Sequence, residues 1–292
     1  MKTKTELHKN NKHKYGYNLD ALCLVCPELN TFVYVNKYNK KTIDFANPKA
    51  VKLLNKALLI SHYHIEYWEF PDDNLCPPIP GRVDYIHYLN DLLIGHNITK
   101  NILVLDVGTG ATCIYPLLGY AEYNWQFVGT DIDKSSLESA EHIVASNNLS
   151  KKISFRYQKE VKHILNGVIK PSDRFSVSMC NPPFYKSEKE AIDATTRKQN
   201  NLKTTKEKLT RNFSGKHNEL WYEGGEKAFL HNYIYESTGF KDNCIWFTSL
   251  VSKKELLKGL EVSLKKLKAT QVKIINMGQG HKLSRIIAWT FQ

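Results

Sequence analysis

The stretch MCNPPFY, residues 179–185, combines side chains able to activate an amine. An apolar, β-prone run over 175–180 stops at Asn181, and two prolines and two aromatics follow. An exocyclic amine on an aromatic ring is a poor nucleophile because its lone pair is delocalised into the ring. Two acceptors aimed at its N–H bonds favour a more localised lone pair. The Asn181 side-chain oxygen and the Pro182 carbonyl are such acceptors. Pro182 and Pro183 hold them rigidly, so little reorganisation is needed at reaction. Phe184 offers a face on which a base can stack, worth about 1–3 kcal/mol by analogy with stacked nucleobases. The competing reading is a proline-rich loop that merely ends a strand.

A second group is Asp106-Val107-Gly108-Thr109-Gly110, which follows one predicted strand and opens a helix. Gly108 and Gly110 let the backbone approach a ligand and aim amide N–H groups outward. No Gly-Lys-Ser/Thr follows, so this is not a phosphate loop. Asp131, at the end of the next strand, can take two hydrogen bonds from ribose hydroxyls. Asp133 could serve instead, and either carboxylate alone could be only a helix cap. A nicotinamide cofactor and S-adenosylmethionine both carry such a ribose, so these residues leave the cofactor open.

The elements that must position these groups follow from apolar patterning. Strands are expected over 102–107, 126–130, 153–157 and 175–180. Helices are expected to begin near 111 and to run over 135–148 and 161–168. Alternating β and α predicts a doubly wound α/β sheet with ligands at the carboxyl ends of its strands, near the order switch. Residues 106–110 and 181–184 should therefore share one cleft. A helix over 226–237, a strand over 244–250 and a helix over 253–267 follow. Two closing strands, 272–277 and 286–291, have no helix between them and predict an antiparallel edge hairpin. That seven-stranded, Rossmann-like ending resembles the class I methyltransferase fold, which uses S-adenosylmethionine.

Upstream, Asn47-Pro48 starts a helix that ends near residue 62, and a shorter helix is expected over 84–94. Residues 1–17, with five lysines, two histidines and one glutamate, read as a flexible basic arm. The chain then divides into an N-terminal, substrate-binding extension (18–98) and a methyltransferase domain (99–292). Residues 186–216, with nine Lys/Arg and four Asp/Glu, form a basic insertion too long for an ordinary connection, expected to be mobile without a partner.

Of 292 residues, 42% are hydrophobic, which permits a sizeable core. The net charge of +12 favours a polyanion, nucleic acid above all. No stretch suits a membrane span, and no apolar leader is present. Six cysteines without zinc-ligand spacing predict a reduced, cytoplasmic protein that needs no metal. Cys23 and Cys26 read as small buried hydrophobes.

Asn-Pro-Pro-Phe after the fourth strand resembles the motif of amino-methyltransferases that modify adenine, cytosine or a glutamine amide. Longer blocks narrow the likeness: YNLDALCLVCPEL, DFANPKAVKLLNKALL, LCPPIPGRVDYIHYLNDLL, GTGATCIYPLLG, ELWYEGGE, WFTSLVSKKELL and SRIIAWTF. Together they resemble the bacterial 23S rRNA adenine-N6-methyltransferase F family (RlmF), related to the eukaryotic methyltransferase-like-sixteen enzymes. The resemblance implies methyl transfer from S-adenosylmethionine to N6 of one adenine in 23S rRNA, with S-adenosylhomocysteine as product. The partner would be 23S rRNA or a large-subunit precursor particle, and the enzyme a monomer. It implies that Arg82 contacts the cofactor or the RNA beside it, and that Gly108 lies along the methionine part. It further implies that Thr112 meets the methionine carboxylate, Asp131 the ribose and Glu160 the cofactor adenine. Asn181 to Phe184 match the catalytic tetrad. The basic segments 1–17, 186–216 and Lys282/Arg285 would track phosphates while the base is flipped out. Rival readings are a glutamine-amide methyltransferase, a methylase of another structured RNA, an RNA-binding module on a retained scaffold, and a nicotinamide oxidoreductase.

Overall fold

The structure, a computed structural model, describes residues 6–187, 189–190, 221–279 and 282–292. The N-terminal elements begin with α1 (Leu19–Val25), whose first turn is capped by the Asn18 side chain accepting from the Ala21 N–H. A two-stranded antiparallel ribbon follows, β1 (Val33–Val35) and β2 (Lys41–Ile43). Helix α2 (Pro48–Tyr63) starts as expected: the Asn47 side chain accepts from the Lys49 and Ala50 N–H groups, with proline at the first helical position. Helix α3 (Ile79–Ile94) starts five residues earlier than the pattern predicts. Pro80 is tolerated there because the first-turn N–H groups have no helical partner in any case.

The main sheet contains β3 (Leu103–Val107), β4 (Gln126–Asp131), β5 (Ile153–Tyr157), β6 (Phe175–Cys180), β7 (Cys244–Val251), β8 (Gln271–Gln279) and β9 (Lys282–Thr290). Their order is β5-β4-β3-β6-β7-β9-β8, so the order reverses between β3 and β6. All neighbours are parallel except β9, which lies antiparallel between β7 and β8. This is the doubly wound sheet with a closing hairpin that the sequence predicts.

One face is covered by α2, α3, α4 (Ile114–Tyr123) and α5 (Lys134–Ser146). The other is covered by residues 164–169, α6 (Gly225–Ser237) and α7 (Lys254–Lys266). The core of the first face runs without a break from Leu19 through Trp68, Tyr85 and Leu89 into Val104, Val177 and Trp246. The N-terminal elements and the sheet are therefore packed on one another, and α3 lies against β6 and β8.

Two expectations fail. The segment 161–168 is not helical. Its N–H groups at Ile164, Leu165 and Asn166 instead converge on the Glu236 carboxylate of α6 at 2.7–3.1 Å. A single fixed anion takes the amides that a helix would have used in its own first turn. Nor is the described part of the first seventeen residues a free arm. His8, Asn11 and His13 are buried. The His8 N–H and the Asn11 side-chain amide both donate to the Asp84 carboxylate on α3, and the Asn11 amide also reaches the Pro80 carbonyl at 2.9 Å. His13 pairs with the Tyr63 hydroxyl at 2.7 Å, and burial, helped by nearby His62 and Lys12, lowers its pKa to about 4. Positive composition suggested solvent, yet these residues satisfy buried groups of α2 and α3. Most of the basic insertion 186–216, namely residues 188 and 191–216, lies outside the described residues.

Asn11→Ala would leave a buried carboxylate and a carbonyl short of a donor. It should destabilise the protein by about 1–3 kcal/mol, read as a lower urea midpoint. An unchanged midpoint would show that residues 8–13 do not brace α3.

Candidate active site

The carboxyl ends of β3, β4 and β6 open onto a cavity of about 1140 Å³. Among its walls are Arg82, the loop 107–112, Asp131, Gln158, Asn181, Pro183, Phe184 and Trp221. The glycine loop is held from below. The Gly108 and Thr109 N–H groups both donate to the Thr130 carbonyl at 2.9 Å. Gly108 and Gly110 have φ of +75° and +64°, a left-handed backbone that a side chain would strain. The Thr112 carbonyl accepts from the fully buried Trp68 indole at 2.9 Å, which ties the end of the loop to the N-terminal elements.

The two aspartates after β4 have different work. Asp133 caps α5, accepting from the Ser135 N–H at 3.1 Å and the Ser136 hydroxyl at 2.8 Å. Asp131 takes one backbone N–H on each oxygen, from Gly110 at 2.9 Å and from Asp133 at 3.0 Å. Each Asp131 oxygen keeps acceptor capacity. Burial raises the Asp131 pKa, and these backbone N–H bonds oppose the rise.

Asp106 lies beneath the loop, 1% exposed. Neither of its oxygens meets a partner at full hydrogen-bonding geometry among the described residues. Burial pushes its pKa up to about 7; the Thr109 hydroxyl and the Arg82 guanidinium pull against that, and the Asp131 charge adds to it. Arg82 donates to the Tyr115 hydroxyl at 2.9 Å and lies over the same ring, while its Nε–H is buried without a partner among the described residues. A half-buried cation on the cavity wall and a buried acid beneath it thus both stand incompletely paired among the described residues.

Strand β6 brings Asn181 to the switch point. The Asn181 side-chain oxygen is buried and has no partner among the described residues, which leave its acceptor capacity unspent. Pro182 is buried, and Phe184 remains 39% exposed on the cavity wall, with a face free for stacking. Behind it, Tyr185 and Trp221 form an isolated parallel bridge, and the Tyr222 N–H donates to the Tyr185 carbonyl at 3.0 Å.

The fold therefore gathers Arg82, Gly108, Gly110, Thr112, Asp131, Asn181, Pro183 and Phe184 around one space, with Asp106 below it. Glu160 is not brought there. It is exposed, and its N–H donates to the side chain of Gln158, which is buried and lines the cavity. Gln158 also bonds the Asp131 carbonyl and the Asn166 carbonyl, at 2.8 and 2.7 Å. The side chain that belongs to the wall thus stands two residues earlier than the family pattern implies. Sequence reasoning also passed over Glu236 and Tyr85. The signal for Tyr85 was its place one helical turn after Arg82. Glu236, seventy residues from the loop that it holds, carried none.

Among the described residues no group of His, Cys, Asp and Glu could hold a metal ion, and no helix is long and apolar enough to cross a membrane. Cys23 and Cys26 are unbridged.

A family model described as RNA methyltransferase matches residues 1–292. The chain is 51% identical to "Ribosomal RNA large subunit methyltransferase F" of Shewanella denitrificans, covering 98% of this chain and 83% of the relative. It is 48% identical to the protein of the same name from Bacteroides thetaiotaomicron, over 100% of this chain and 99% of the relative. Its fold is similar to the crystal structure of the hMettl16 catalytic domain in complex with MAT2A 3'UTR hairpin 1. The TM-score is 0.84 at 29% identity, with 99% of this chain and 96% of that chain covered. It is also similar to the N-terminal domain of human METTL16 in complex with SAH. There the TM-score is 0.77 at 27% identity, covering 99% of this chain and 100% of that chain.

The Asp106 pKa carries a stability signature. Between its ordinary value of 3.8 and about 7, the folded protein keeps a proton that the unfolded chain has released. Stability therefore falls as pH rises through that window, and the full cost is present above it. The melting temperature of Asp106→Asn should drop less than that of the wild type between about pH 5 and about pH 8. Equal drops would mean that Asp106 is ionised throughout.

Proposed function

The chain belongs to the RNA methyltransferase family, and on that premise we propose that it methylates N6 of an adenine in 23S ribosomal RNA, using S-adenosylmethionine. The single observation that carries the reading is the unspent acceptor of Asn181, fixed by Pro182 and Pro183 beside the exposed face of Phe184. The names of the two relatives described above supply the ribosomal substrate class.

The residues fit the cofactor. Asp131 retains one acceptor site per oxygen, suited to the paired hydroxyls of a ribose. The glycine loop leaves open backbone against which an extended ligand can lie. The Arg82 guanidinium on the wall, its Nε–H without a partner among the described residues, suits the carboxylate of a methionine moiety, and the Asp106 carboxyl lies beneath the loop at the same end. Gln158, rather than Glu160, is the polar side chain on the wall beyond the ribose position. When bound, S-adenosylmethionine supplies an electrophilic methyl group on a sulfonium.

The protein's own part is to bind, orient and polarise. Asn181 Oδ1 and the Pro182 carbonyl accept the two N–H bonds of the adenine N6. That arrangement favours a lone pair directed out of the ring's conjugation. Phe184 stacks on the base and fixes its plane, for about 1–3 kcal/mol. Because both acceptors are already held, their dipoles need not reorganise as positive charge develops on nitrogen. No strong base is required, since a methylated ammonium on an aromatic ring loses its proton readily. The base must first leave its stack, at a cost of a few kcal/mol that phosphate contacts by basic residues offset.

Labelled S-adenosylmethionine should transfer its methyl group to large-subunit rRNA lacking the modification, and the label should appear in N6-methyladenosine after nucleoside digestion. Label found only in protein would sink the proposal. Asn181→Ala should lose about 100-fold or more in turnover while cofactor affinity, measured by calorimetry, stays nearly the same.

A further inference from the structure

The ladder between β6 and β7 ends at the pair Ser178–Phe247, whereas on the other side β3 stays paired with β6 as far as Cys180. The last two residues before Asn181 therefore lack a backbone ladder to β7, although the Ser249 hydroxyl of β7 donates to the Cys180 carbonyl at 3.4 Å. On that side also stands Tyr85 of α3, fully buried. Its hydroxyl lies 2.8 Å from the Thr248 hydroxyl of β7 and 3.4 Å from the Cys180 backbone nitrogen. The Thr248 hydroxyl in turn lies 2.8 Å from the Ser178 carbonyl.

Donor counting orders this chain. Each hydroxyl has one proton. The Ser178 carbonyl can only accept, so the Thr248 proton goes to it. The Tyr85 proton then goes to Thr248 Oγ. The Tyr85 oxygen is left to accept the Cys180 N–H. Every proton has one destination, and both backbone groups that the diverging strands leave unpaired are satisfied.

We propose that Tyr85 is a positioning residue for Asn181, acting through Thr248 as a side-chain replacement for the sheet ladder at the point where β6 leaves β7. The same helix turn carries Arg82, and the Tyr85 ring packs edge-on to the Tyr115 ring whose hydroxyl Arg82 bonds. One rigid segment thus references both the cofactor end of the cavity and the catalytic amide. The catalytic consequence rests on the methyltransferase reading given above; the positional consequence does not.

The test uses the full chain with Tyr85→Phe, Thr248→Val and Thr248→Ser. Amide hydrogen exchange is read at Cys180, and kcat on large-subunit rRNA is read beside the cofactor Kd. Tyr85→Phe and Thr248→Val should both speed exchange at Cys180. Both should lower kcat at least tenfold, within the ~10²-fold that a misplacement of about 1 Å costs. Cofactor Kd should stay within about twofold, and Thr248→Ser should restore both readouts. In an Asn181→Ala background, Tyr85→Phe should cost nothing more. Unchanged exchange at Cys180, unchanged kcat, or an equal loss in that background would overturn the proposal. If Tyr85→Phe does not fold, the Thr248→Val and Thr248→Ser pair decides. A wild-type protein that methylates no rRNA adenine would refute the functional reading, and the exchange measurement alone would then decide the role of Tyr85.

Discussion

Parallel strands that diverge at a switch point must open a cleft and still satisfy the backbone groups they uncover, and the rest of this structure is arranged around that requirement. Between β3 and β6 the opening is where Asn181 emerges. Between β6 and β7 it would strand the Cys180 N–H and the Ser178 carbonyl in a dry interior, where each unpaired group costs about 1–3 kcal/mol. Hydroxyls from α3 and β7 close that gap. Strand β6 can therefore run into Asn181 and Pro-Pro, which offers the ladder no N–H, without losing its anchorage.

Seen from this constraint, the N-terminal elements belong to the site as much as the sheet does. Helix α3 can brace β6 only if it is itself fixed. Its outward side is held by the buried contacts of His8 and Asn11 with Asp84, and the Trp68 indole fixes the Thr112 carbonyl in the same layer. One uninterrupted core joins these residues to β6. The opposite layer uses a comparable device. Glu236 gathers three backbone amides of the loop that forms the far wall of the cavity. Both walls are positioned by polar side chains distant in sequence, rather than by regular structure of their own.

That explains how far the sequence alone could be read. Five apolar runs alternating with helical patterns disclosed the sheet, because burial on both faces leaves a continuous signal. Asn47-Pro48 disclosed a helix start, because capping is local. Asn181 to Phe184 were conspicuous because a strand ending in an amide and two prolines needs a reason. The failures share a cause. Val161, Ile164, Leu165 and Val168 have helical spacing, but their segment's amides are taken by a carboxylate that no local pattern announces. His8, Asn11 and His13 looked like part of a solvated basic run because their partners are about fifty to eighty residues away. Gln158 rather than Glu160 lines the cavity because a two-residue offset in an irregular turn leaves no periodic trace.

The position of β9 has a consequence for how the protein comes to exist. It follows β7 and β8 in sequence and yet lies between them in the sheet, with Trp289 stacked on Phe247 and its indole donating to Ser237 of α6 at 3.0 Å. During synthesis, β7 can pair with β6, but β8 has no neighbour in the sheet until residues 282–290 exist. Completion of the sheet thus waits for a strand made after both of those it joins. Nascent chains interrupted short of β9 would carry Asn181 to Phe184 on a sheet that still lacks its edge hairpin.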